Sequence, residues 1–73
     1  MSRRFELSAL DDRLRFDVQL QISLRSNAIK IMEHYPDKQK FMKYVGEREE
    51  KIRILLNCDE NPVILDNGRE VFP

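Results

Sequence analysis

One cysteine, one histidine, two glycines, no tryptophan and no excess of either charge set the first limits on what this 73-residue chain can be. Cys58 has no second cysteine to pair with, so an internal disulfide is excluded, and a lone thiol suits a reducing compartment. Cys58 and His34 fall short of the four-ligand sets that hold structural zinc, so no metal is expected. Gly46 and Gly68 lie too far apart to build a phosphate-cradling loop, and no cofactor motif takes its place. No apolar run approaches the roughly 18–20 residues of a membrane span. The basic start Met1-Ser2-Arg3-Arg4 has no apolar stretch behind it, so a secretory signal is not expected. Thirteen Lys plus Arg balance thirteen Asp plus Glu, which withholds any global attraction for nucleic acid or anionic lipid. The expectation is a cytoplasmic protein with no membrane attachment.

The length fits one small domain over residues 1–73. A chain of this size buries only roughly 60–65% of the surface exposed when unfolded, so it gains from a stabilising aid. With disulfide and metal set aside, self-association or a protein partner is the aid that remains.

The most regular stretch runs from Arg13 to Arg25. Leu14, Phe16, Val18, Leu20, Ile22 and Leu24 are apolar, and every residue between them is polar. This strict period of two predicts a long β-strand, because a helical stripe from Leu14 collects only Leu14, Val18 and Ile22. Upstream, Phe5, Leu7 and Ala9 alternate too. A reversal at Asp11-Asp12 would set them opposite Val18, Phe16 and Leu14, giving an N-terminal antiparallel hairpin.

Beyond the strand, Ser26 or Asn27 can cap a short helix carrying Ala28, Ile29, Ile31, Met32 and Tyr35, stopped by Pro36. Asp37 can cap a longer one from Lys38 to about Asn57, with Phe41, Val45, Ile52, Leu55 and Leu56 as its stripe and Met42 and Tyr44 beside it. Glu49 and Arg53 stand at i,i+4 on that helix. Asn67-Gly68 between two apolar runs predicts a C-terminal hairpin, with Asp66 opposite Arg69, Ile64 opposite Val71 and Val63 opposite Phe72. The expected fold is α+β: an N-terminal antiparallel β-hairpin with a long second strand, two helices (short then long), and a C-terminal β-hairpin.

No set of residues points to catalysis. His34 reads as a solvated residue near a helix end. Cys58 follows a helix C-terminus and precedes Asp59 and Glu60, both of which disfavour a thiolate, so it reads as a small packing residue. Asp11-Asp12 reads as turn chemistry. An enzyme is the least supported class, and no catalytic residue or cofactor is assigned.

The order strand, helix, helix resembles that of the ribbon-helix-helix DNA-binding dimers. That resemblance implies polar strand residues reading the major groove, here Gln19, Gln21 and Arg25. Asp17 among those readers, Asp37 at the second helix start and the neutral net charge weigh against it. The leading expectation is therefore a non-catalytic protein-binding module: an adaptor, inhibitor or small regulatory subunit that also self-associates. Its contact residues would come from the unpaired half of the strand (Leu20, Ile22, Leu24), the long helix (Phe41, Tyr44, Val45) and the C-terminal strand (Val71, Phe72).

Overall fold

The computed structural model describes residues 2–73. The protein is α+β: strand β1 (Arg4–Glu6), helix α1 (Asp12–Met32), helix α2 (Gln39–Leu56), and strands β2 (Val63–Asp66) and β3 (Arg69–Phe72), with a 3-10 turn at Leu7–Ala9. The order of elements differs from the sequence-based expectation, and the decisive difference is Arg13 to Arg25, which is helix. Asp11 caps it, its Oδ1 accepting from the Leu14 backbone N–H at 2.9 Å, and Asp12 in the first turn pairs with Arg15 at 2.6 Å. The Asp pair starts a helix where a turn was expected. Ser26 and Asn27 do not interrupt it, so the predicted short helix is the last part of α1.

The alternation that predicts a strand has a helical reading. Two residues advance about 200° around a helix, so every second residue falls on nearly opposite sides. Leu14, Val18 and Ile22 form one stripe and Phe16, Leu20 and Leu24 form another. The first is in the core, where Val18 has no exposed surface; in the second, Phe16 is 65% and Leu20 44% exposed. No proline or glycine lies between Asp12 and Met32, and the polar positions are filled largely by good helix formers such as Arg and Gln.

The N-terminal hairpin is absent for the same reason, since its second strand is a helix. β1 pairs instead with β2, in parallel, with Phe5 beside Ile64. The connection between these two parallel strands is the whole α1–α2 hairpin, and the sheet order is β1-β2-β3. Leu7, in the 3-10 turn, is buried. Arg3 reaches across to the end of α2, where its Nη1 donates to the carbonyls of Leu56 (3.4 Å) and Asn57 (3.1 Å). A cation there meets carbonyls with no helical partner and the negative end of the dipole.

α2 matches its predicted span closely. Asp37 is not its N-cap: Lys38 holds that position without a side-chain cap bond, and Asp37, one residue before it, accepts through Oδ1 from the Gln39 backbone N–H at 3.2 Å. The helix closes at Asn57, whose left-handed φ of 54° lets the Cys58 N–H reach the Arg53 carbonyl at 2.8 Å. Glu49 does not pair with Arg53: it turns to Arg25 of α1, and Arg53 donates to Asn61 Oδ1 at 2.6 Å. A Cβ added at Gly46 would meet nothing within 4 Å. Gly46→Ala is therefore expected to stabilise the protein by about 0.5–1 kcal/mol, read as a raised urea midpoint.

The C-terminal hairpin forms, with Asn67 (φ 53°) and Gly68 (φ 82°) as a two-residue turn and Asp66 opposite Arg69. Its inner register is shifted. Leu65 faces Glu70 but Ile64 faces Phe72, with a bulge at Val71. The extra residue puts Phe72 beside Ile64 on the core face, where both are essentially unexposed. Without the bulge Ile64 would face Val71, the expected register. Glu6 ties this hairpin to β1, its Oε1 accepting from the Asn67 backbone N–H at 2.6 Å.

The core therefore gathers at the sheet end: Leu7, Val18, Ile52, Leu56, Ile64 and Phe72. Beyond it, among the described residues, α1 and α2 pack chiefly on each other, in a molecule measuring 39 × 23 × 23 Å.

Candidate functional site

The site follows from that geometry. A helix lying on a sheet and a neighbouring helix can bury a broad apolar face, whereas two helices alone bury only the strip between them. In the outer part of the hairpin, away from the sheet, Ala28 is the buried apolar residue. The larger apolar side chains around it remain accessible. Leu24, Ala28 and Ile31 from α1 and Phe41 and Tyr44 from α2 line a groove of about 410 Å³, with Asn27 and Lys40 supplying polar atoms.

Aromatic contacts shape the α2 wall. Tyr35, in the connection between the helices, packs on Phe41 with ring centroids 5.4 Å apart and planes tilted by 43°. The Lys40 ammonium lies 5.8 Å from the centre of the Phe41 ring, and the Arg48 guanidinium 4.8 Å from that of Tyr44. Ile31, Tyr35 and Met42 remain 46%, 54% and 62% exposed. Along α1 the same stripe continues through Leu20 to Phe16, spaced i,i+4 like Leu24.

A polar layer separates this groove from the core. Arg25 Nε donates to Glu49 Oε2 at 2.8 Å, with both side chains about one-fifth exposed, and the Arg25 guanidinium lies over the Phe72 ring at 4.9 Å. Gln21 is buried and its Oε1 accepts from Arg48 Nη1 at 3.2 Å. Directional bonds between helices favour one offset of α1 against α2 over others, which simple apolar packing would not do.

The residues expected to bind a partner are thus divided by the fold. Leu24, Phe41 and Tyr44 come together in the groove, and Leu20 lies on the stripe leading into it. Ile22 and Val71 are half-buried against the core, Phe72 is buried within it, and Val45 is half-buried on α2. Ile22, Val71 and Phe72 pack at the sheet end and lie outside the groove; of the three only Phe72 is fully buried. Of the residues assigned to reading DNA, Gln19 is exposed, Gln21 is buried against Arg48 and Arg25 is paired with Glu49. They lie on a helix, so the paired ribbon they were to form is not present in this fold.

Ala28, Asn27, Ile31 and Lys40 belong to the groove but were missed as site residues. The signal for the three on α1 was the 3.6-residue spacing of Phe16, Leu20, Leu24 and Ile31, hidden by the stronger period of two; Lys40, on α2, had none. His34 is exposed just past the end of α1, and Cys58 is half-buried with its thiol donating to the Leu56 carbonyl at 3.5 Å. Among the described residues, no three His, Cys, Asp or Glu side chains gather where they could hold a metal ion. Among the same residues, no helix is long and apolar enough to cross a membrane. No protein-family model, curated protein or solved structure matches the chain.

Proposed function

We propose that the chain is a non-catalytic protein–protein interaction module, an adaptor, inhibitor or small regulatory subunit that works by engaging a surface of another protein. The observation that carries this reading is the apolar groove of Leu24, Ala28, Ile31, Phe41 and Tyr44, bordered by large exposed apolar side chains. Contiguous apolar surface of this kind mainly serves recognition, and a cleft between two helices suits an amphipathic segment laid into it. Tyr44, held by Arg48, and Phe41, held by Tyr35, are restrained aromatic anchors of the sort that dominate interface energies. The cytoplasm is the proposed setting, supported by the single unpaired, half-buried thiol of Cys58.

The test is comparative binding. Proteins bound by the wild-type chain are identified and re-bound as purified components to Leu24→Glu and to Ile54→Glu. Ile54 is the control, a large apolar residue 70% exposed that does not line the groove. Leu24→Glu is expected to weaken binding by at least about tenfold, as loss of an interface anchor does, and Ile54→Glu to leave it unchanged. Equal binding by both variants would refute the reading.

A further inference from the structure

We propose that the groove is filled by a second copy of this chain, two helical hairpins meeting face to face as a four-helix bundle. This rests on the reading of the groove as a protein-binding face and names the partner. Three observations converge on a second copy.

The first is area. The protein exposes 5394 Å², whereas a folded monomer of 8.8 kDa is expected to expose about 4,800 Å². The excess of about 600 Å² is close to the roughly 800 Å² that each partner contributes to a standard interface. One self-contact per chain would bring the exposed area back to that of an ordinary compact domain.

The second is shape. The radius of gyration is 12.6 Å, against about 11 Å for a compact chain of this length. The extra extension is the outer part of the hairpin, where, among the described residues, α1 and α2 pack chiefly on each other. Two-layer helical structures of this kind complete their core by doubling.

The third is the match of the face to itself. A two-fold contact requires each patch to be complementary to its own copy. Here an aliphatic wall on α1 (Leu24, Ala28, Ile31) faces an aromatic wall on α2 (Phe41, Tyr44), so rotation by half a turn about an axis running along the helices sets each wall against the other kind. Lys40 is the one charged residue lining the groove, and the zero formal net charge leaves no long-range repulsion between copies. Any other protein using the same groove competes with the second copy, so partner binding and dimerisation exclude each other.

Sedimentation equilibrium from low micromolar to several hundred micromolar chain tests the proposal. The wild type is expected to approach twice the 8.8 kDa chain mass. Leu24→Glu and Ile31→Glu, each counted twice in a two-fold contact, are expected to lower the association constant by at least tenfold with helical circular dichroism unchanged. Ile31→Gln, a milder change at a residue 46% exposed, serves if the charged variants unfold. Ile54→Glu should associate like the wild type. A wild type that stays monomeric overturns the proposal, as does a dimer that survives the groove substitutions. If the wild type is monomeric yet Leu24→Glu still loses a foreign partner, only the second copy is refuted and the groove's binding role stands.

Discussion

Val18→Asp is expected to unfold the protein, whereas Phe16→Asp, two residues away, leaves it folded. Val18 has no exposed surface and packs among Leu7, Ile52, Leu56, Ile64 and Phe72. A carboxylate there would lose the apolar contacts and be left without water or a cationic partner. The cost is at least about 4 kcal/mol, against a total stability of about 4–11 kcal/mol for a domain of this length. Phe16 is 65% exposed, and an aspartate in its place stays in water. Its expected cost is within about 1 kcal/mol. In a strand the two side chains would share a face and the substitutions would be comparably damaging. Far-UV circular dichroism with urea titration separates the two cases.

The second large effect is at the other end of the chain. Phe72→Ala is expected to cost about 3–5 kcal/mol, the range for removing a buried aromatic ring. Phe72 is 1% exposed, lies opposite Ile64 across the bulged pair, and carries the Arg25 guanidinium on its face at 4.9 Å. Its loss opens a cavity in the core and removes a surface against which Arg25 is held toward Glu49. Val71→Ala, at the bulge and half-buried, is expected to cost clearly less. Thermal unfolding of the two variants side by side gives the comparison.

What could be read from the sequence follows the strength of local signals. Asn67-Gly68 specifies its turn by backbone conformation alone, and the C-terminal hairpin was legible from it. The span of α2 was legible from Asp37, its apolar stripe and the change of composition after Leu56. The bulge at Val71 was not, because it is set by the need to bring Phe72 and Ile64 to one side of a shared core. Arg13 to Arg25 misled for a physical reason: six apolar residues at every second position fit one face of a strand or two faces of a helix equally well. Asp11, three residues before the Leu14 N–H that it caps, was the local signal favouring the helix. Parallel pairing of β1 with β2 joins residues nearly sixty positions apart, and no local pattern encodes it.

The candidate site was legible only in part for the same reason. Leu20, Leu24, Phe41 and Tyr44 were picked out as contact residues, but from a strand edge and a separate helix stripe. The fold brings three of them together by making both elements helices and laying one along the other. Ile22, Val71 and Phe72 were picked out on the same grounds, yet their side chains lie at the sheet end, where the core takes them.

The central claim is that α1 carries two apolar stripes with different duties, one holding the fold and one meeting another protein surface. Methyl NMR of the chain, recorded as its concentration is raised, tests this most directly. The account predicts that resonances of Leu20, Leu24 and Ile31 shift or broaden with concentration while those of Val18, Ile52 and Ile64 stay fixed. Changes centred on Val18, Ile52 and Ile64 would contradict the division of duties between the stripes, and methyl spectra independent of concentration would contradict the second copy as the surface that the outer stripe meets.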